Sequence, residues 1–249
     1  MTTSIFSSPL VIKQSNDGYR HSIEPFLLAY FANLLPGYRI LDIGTGCGII
    51  PLLTSIKIKL DEIVAIEIQK PLYDLAVINM SINGILEKVN LCHADFTGPT
   101  LDPEDGLFDT IISNPPYRKL NTGRMNPNQE KAIARHEISM DLNSLLNKTS
   151  SLLKHGGTFI MTYPILRLNE VQKKLYSKKL FPSRLLYIYG SRDTDARIFL
   201  IEAIKNRKVK CVIEQPLFIY NESGSYSKEM KKIYASFNYC NWTHYIEEE

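Results

Sequence analysis

The sequence predicts an α/β fold, a mostly parallel sheet with helices on both faces. Three observations carry that expectation. Short β-rich runs alternate with helical stretches through the middle of the chain. A glycine-rich turn, Gly44-Thr45-Gly46-Cys47-Gly48, separates the first such run from the first such helix. The length, 249 residues, suits one large domain or a domain with a small appendage.

The elements follow in order. Residues 39–43 read as a first buried strand and residues 48–56 as the helix after the turn. A second strand spans 63–67, then a helix 71–83 opened by Pro71 and closed near Asn83-Gly84. Residues 89–93 make a third strand and 110–113 close a fourth. Asp141 is a candidate cap for a helix running to residue 153 and ended by His155-Gly156-Gly157. A fifth strand at 158–162 and a helix at 168–177 come next. Strands at 184–189 and 198–203 lie close enough for an antiparallel hairpin at the sheet edge, and residues 209–213 add one more strand. Residues 118–135 are polar, basic and aperiodic, the character of a functional or mobile segment.

Composition excludes several classes. With 44% hydrophobic and 22% charged residues the chain reads as an ordinary soluble globular protein. Cys47, Cys92, Cys211 and Cys240 contain no C-x-x-C pair, so neither a zinc site nor a disulfide framework is expected. No basic-then-apolar leader opens the chain and no apolar run reaches about 18 residues, so a cytoplasmic protein without a membrane span is expected. The net charge is only +3, but residues 165–210 hold twelve Lys or Arg against four Asp or Glu. That excess suits either a solvated face or attraction of a polyanion.

The glycine turn points to a nucleotide-like ligand. Glycine lets a backbone turn tightly and approach a ligand with no Cβ in the way. Dinucleotide sites use G-x-G-x-x-G to meet a pyrophosphate. Here Gly44, Gly46 and Gly48 have the spacing G-x-G-x-G, and Asp42 stands just before them. A carboxylate there repels a diphosphate and attracts an ammonium or sulfonium cation, which favours S-adenosylmethionine, with Thr45 in the same turn. Glu67 ends the second strand, twenty-five residues beyond Asp42, where a carboxylate accepts hydrogen bonds from ribose hydroxyls. Asp95, after the third strand, is the candidate partner of the adenine amino group with Phe96 alongside; an Asx turn is the plainer reading of Asp95.

Asn114-Pro115-Pro116-Tyr117, directly after the fourth strand, completes the pattern. An amino group on a planar system is a poor nucleophile because its lone pair is delocalised. Asn114 Oδ1 and the Pro115 carbonyl can each accept one of its hydrogens and turn the lone pair toward a methyl donor. Each proline holds the residue before it extended, so these acceptors are oriented before substrate arrives. Tyr117 can stack on the base, and a paired base must first be flipped out.

At these residues the chain resembles the class I methyltransferases of the Asn-Pro-Pro-Tyr type, and more closely a bacterial family that methylates N6 of adenosine 37 in valine tRNA. Asp42 to Gly48, Glu67, Asp95 and Asn114 to Tyr117 match its motifs. The segments 19–29, 134–137, 217–220 and 224–229 are similar to further family features, although the family usually has Asp where this chain has Glu24. The resemblance implies a Rossmann-like seven-stranded sheet of order 3-2-1-4-5-7-6 with strand seven antiparallel, S-adenosylmethionine as cofactor, and a tRNA substrate. It implies residues 1–36 packing on a core of residues 37–249, as a single domain overall. A relative that methylates a glutamine amide in a release factor would use the same tetrapeptide, but such enzymes resemble a core preceded by a helical substrate domain, and only about forty residues precede Asp42. Another RNA base as target and a non-enzymatic RNA-binding scaffold are the remaining alternatives.

Overall fold

Strand β1 (Arg39–Ile43) is buried along four of its five residues, as a central strand covered on both faces must be. The structure is a computed structural model and describes residues 10–13, 23–105, 107–115 and 141–237. Beside β1 run β2 (Glu62–Glu67) and, beyond it, β3 (Val89–His93), both parallel. On its other side lie β4 (Phe108–Ser113) and β5 (Leu153–Pro164), parallel again. The strand β7 (Ala196–Lys205) pairs antiparallel with both β5 and β6 (Leu180–Tyr189). The order β3-β2-β1-β4-β5-β7-β6 is the one expected, hairpin included. Two short strands are additional: β8 (Val212–Ile213) and β9 (Leu217–Phe218) both pair with β6.

Successive strand residues point to opposite faces, which divides the core in two. Ile40, Ala65, Ile112 and Ile160 face α1 (Glu24–Phe31), α2 (Ile49–Lys57) and α6 (Lys228–Ala235). Leu41, Ile43, Ile111 and Phe159 face α4 (Leu142–Leu152) and α5 (Leu168–Ser177). The helix α3 (Lys70–Ile82) joins β2 to β3 and buries Met80 with the first group.

Three elements depart from expectation. The fifth strand starts at Leu153, directly after α4, rather than at residue 158. The register shifts between Phe108 and Thr110, so Gly156, with φ +77°, and Gly157 lie within the strand at an irregularity. A Cβ on Gly157 would lie 3.1 Å from the carbonyls of Phe108 and Asp109, so close pairing there requires glycine. The second departure is α6, which was not expected. Met230, Ile233, Tyr234 and Phe237, all buried, have i, i+3, i+4, i+7 spacing, and the Ser227 hydroxyl caps the helix by accepting from Met230 N at 3.1 Å. The strand expected over 209–213 shortens to Val212–Ile213.

Candidate functional site

Parallel strands collect their loops at one edge, and in an open α/β sheet ligands bind where the strand order reverses. Here that point lies between β1 and β4, where the order turns from β3-β2-β1 to β4-β5. Ile43, the last residue of β1, is opposite Ser113, the last residue of β4. The glycine turn and Asn114 therefore leave adjacent strands side by side. The Ser113 hydroxyl, fully buried, donates to the Ile43 carbonyl at 3.0 Å and ties the two exits together. Ser113 was not singled out in the sequence, because its role depends on which strand lies beside it.

The turn is built on β2. Gly44 N and Thr45 N both donate to the Ile66 carbonyl, at 2.9 and 3.0 Å. Gly44, Gly46 and Gly48 all have positive φ, of 71°, 58° and 82°. They serve different ends. A Cβ at Gly44 or Gly46 would meet nothing within 4 Å, so these positions leave open space over the turn. At Gly48 it would come within 2.4 Å of Met80 Cε and 3.2 Å of Ala76 Cβ, so this glycine lets α2 pack on α3.

Two carboxylates line the turn. Glu67 is almost wholly buried; it accepts from Gly46 N at 2.9 Å and from Gln69 N at 2.8 Å. A carboxylate has about four acceptor sites, so these bonds leave capacity for further donors. Asp42 is equally buried, but neither of its oxygens has a hydrogen-bond partner of normal geometry among the described residues, and the same is true of Thr45 Oγ1. Burial pushes the Asp42 pKa up to about 7; the nearby Thr45 hydroxyl draws it partly back and the negative Glu67 adds to the rise. A buried carboxylate with no donor of normal geometry among the described residues, beside a second carboxylate and an open glycine turn, is suited to a cationic ligand bearing hydroxyls. That chemistry fits S-adenosylmethionine.

Asn114 is partly exposed and Pro115 is buried at the end of β4. Pro116 and Tyr117 lie outside the described residues, as do residues 118–135, the 134–137 motif and Cys240. Asp95 Oδ1 accepts from both the amide and the hydroxyl of Thr97, each at 2.8 Å, which is the Asx turn; Oδ2 makes no hydrogen bond among the described residues. Phe96 follows Asp95 in the loop after β3. Its ring is buried in the core on the α4 side, with Lys148 Nζ 5.4 Å from its centroid. Glu24 sits in the first turn of α1.

The basic stretch 165–210 does not form one surface. Arg167 pairs with Glu170, and Arg184 with Glu202 and Glu214. Lys174 also reaches Glu170, and Lys205 donates to the Leu153 carbonyl. Arg192 and Arg197 lie at the β6–β7 turn, on the same edge as Asn114, whereas Lys178, Lys179, Arg207 and Lys208 lie at the opposite edge. Among the described residues no group of His, Cys, Asp and Glu could hold a metal ion, and no helix is long and apolar enough to cross a membrane.

Comparison with known proteins agrees with this geometry. Residues 24–164 match the methyltransferase small domain family. A tRNA1(Val) (adenine(37)-N6)-methyltransferase of a Flavobacteriaceae bacterium (strain 3519-10) is 25% identical over 91% of this chain and 94% of its own. The protein of the same name from Bacteroides thetaiotaomicron is 29% identical over 83% and 85%. Among solved structures, a predicted O-methyltransferase from Agrobacterium tumefaciens superposes with a TM-score of 0.67 at 18% identity, covering 86% of this chain and 96% of that one, which shows a shared fold.

Proposed function

Because the chain belongs to the methyltransferase small domain family, we propose that it transfers a methyl group from S-adenosylmethionine to N6 of an adenine in RNA, at adenosine 37 of a tRNA. One observation carries this reading: the Ile43–Ser113 register sets the turn suited to the cofactor beside Asn114 and Pro115. The names of the relatives support the choice of tRNA over a protein amide.

When bound, S-adenosylmethionine supplies an electrophilic methyl group on a sulfonium. Asp42 offers its negative charge to the cationic part of that molecule, Gly44 and Gly46 allow close approach, and Glu67 accepts from the ribose hydroxyls. The remaining oxygen of Asp95 accepts from the cofactor's adenine. Asn114 Oδ1 and the Pro115 carbonyl accept the two amino hydrogens of the target base. The nitrogen lone pair is thereby directed at the methyl group, and the proton leaves once the nitrogen carries positive charge. No general base is needed, and rate enhancement comes from positioning and preorganised charge. By sequence, Pro116 would restrict Pro115 to extended geometry, and Tyr117 is the residue that would stack on the flipped base.

Asn114→Ala is expected to keep cofactor affinity in titration calorimetry and to lose about 100-fold or more in turnover. Near-normal turnover in that variant would sink the assignment. Incubation of the wild type with labelled cofactor and separate tRNA, ribosomal RNA and release factor identifies the substrate class. Label in the release factor alone would move the target to a glutamine amide.

A further inference from the structure

The basic residues at the sheet edge away from Asn114 form a cluster that methyl transfer leaves unexplained. Lys178 and Lys179 connect α5 to β6, and Arg207, Lys208 and Lys210 follow β7. Register places Leu180 opposite Lys205, and Asn206 N donates to the Lys179 carbonyl at 2.8 Å, so the two basic turns lie side by side. Among the described residues none of these five cations forms an ion pair, unlike Arg167, Lys174 and Arg184. The acids of the β6–β7 region are elsewhere. Asp193 and Asp195 sit at the other end of the hairpin, and Glu202 is buried against Arg184.

Aromatic surface is interleaved with this charge. Tyr176 is 54% exposed and meets the Phe181 ring edge-on at 5.9 Å, and Lys208 Nζ lies 5.8 Å from the Phe181 centroid. Lysines that only protect a sheet edge would lie along the edge strand. These lie in turns beyond the ladder, while the exposed β8 carries Val212 and Ile213.

We propose that Lys178, Lys179, Arg207, Lys208 and Lys210, with Tyr176, form a second RNA-docking surface that holds the phosphate backbone of a helical arm of the substrate. The inference rests on the reading of the protein as an RNA methyltransferase. Counting residues from Ser113 through Met161 and Ile201 to Lys205, and three strand spacings across, puts the cluster roughly 20 Å from Asn114. One flipped nucleotide cannot reach both places. The surface therefore contributes to affinity for a whole folded RNA and leaves handling of the target base unchanged.

The test compares full-length tRNA with its isolated anticodon stem-loop, using wild type and the triple variant Arg207→Ala, Lys208→Ala, Lys210→Ala. The variant should bind full-length tRNA about tenfold more weakly, with a log–log salt slope lower by about 2 to 3, and methylate the stem-loop at the wild-type rate. Unchanged S-adenosylmethionine binding and melting temperature show that it is folded. A matched control, Lys59→Ala, Lys88→Ala, Lys231→Ala, removes three exposed cations elsewhere and should keep full-length affinity. Unchanged affinity in the first variant, equal loss on both RNAs, or equal loss in the control would overturn the proposal. Wild-type protein that fails to bind tRNA overturns both readings. Binding that depends on these residues, without methylation of any RNA, overturns the enzymatic reading alone.

Discussion

Asp42 holds a buried carboxylate that has no hydrogen-bond partner of normal geometry among the described residues, only the nearby Thr45 hydroxyl. Its pKa moves from 3.8 in a free chain to about 7 in the folded protein, chiefly through burial. Between those values the folded state keeps a proton that the unfolded chain has released. The group's contribution to stability is therefore full below about pH 4 and is lost as pH rises toward 7. Asp42→Asn should accordingly raise the melting temperature of the cofactor-free protein at pH 8, by about 5 °C or more, and leave it nearly unchanged at pH 4. The same substitution should weaken S-adenosylmethionine binding about tenfold or more. Wild-type affinity should strengthen as pH rises through 7, where Asp42 ionises, and the Asn variant should lose that dependence. Calorimetry at pH 6 and 8 measures both. Sequence pattern placed Asp42 and Glu67 at strand ends correctly; that Glu67 is bonded to the turn and Asp42 has no partner of normal geometry among the described residues is visible only with the turn folded.

At the scale of elements, the glycine turn depends on how α2 and α1 are held. Gly48→Ala puts a Cβ against Met80 and Ala76 at a φ of 82°, and should destabilise the protein by about 1–3 kcal/mol in urea titration. Gly46→Ala meets no neighbour. Beyond the strain of a side chain at a φ of 58°, its cost should appear as weaker cofactor binding, since the Cβ would stand in the open space over the turn. The C-terminal end of α1 is held by two cations. Lys57 Nζ donates to the carbonyls of Ala29, Tyr30 and Ala32, and Arg184 donates to that of Phe31. Burial, with Arg184 nearby, lowers the Lys57 pKa. Lys57→Met leaves the last carbonyls of α1 without this donor and should cost about 1 kcal/mol, read as a lower denaturation midpoint with unchanged slope. Neither role was legible in the sequence, since Lys57 lies 27 residues from Tyr30 and Arg184 153 residues from Phe31, their nearest α1 partners among the described residues.

For the whole molecule, binding at the switch point couples β1, β2 and β4, so a ligand there stabilises the sheet as a unit. At 100 times its dissociation constant, S-adenosylmethionine should add about 2.7 kcal/mol, a rise in melting temperature of roughly 5–10 °C for a domain of this size. Asn114→Ala should retain that rise and Asp42→Asn should lose about half of it or more at equal ligand concentration, a contrast that thermal scans resolve. The charge distribution also belongs to this scale. In the sequence, residues 165–210 form one basic block. The hairpin divides that block between two edges of the sheet, and salt bridges neutralise part of it.

The sequence by itself determined the alternation of strands and helices, the glycine turn with its preceding acid, and the tetrapeptide after β4. These are local patterns, because side-chain periodicity and turn chemistry act over a few residues. It also determined the antiparallel hairpin at the edge, through the short spacing between two β-rich runs. Only the tertiary structure decided the rest. Register across β1 and β4 set Asn114 beside the glycine turn, core packing buried the Phe96 ring on the α4 side of the sheet, and strand direction sent the basic residues to opposite edges. Each of those outcomes depends on contacts between residues far apart in the chain, which no local pattern encodes.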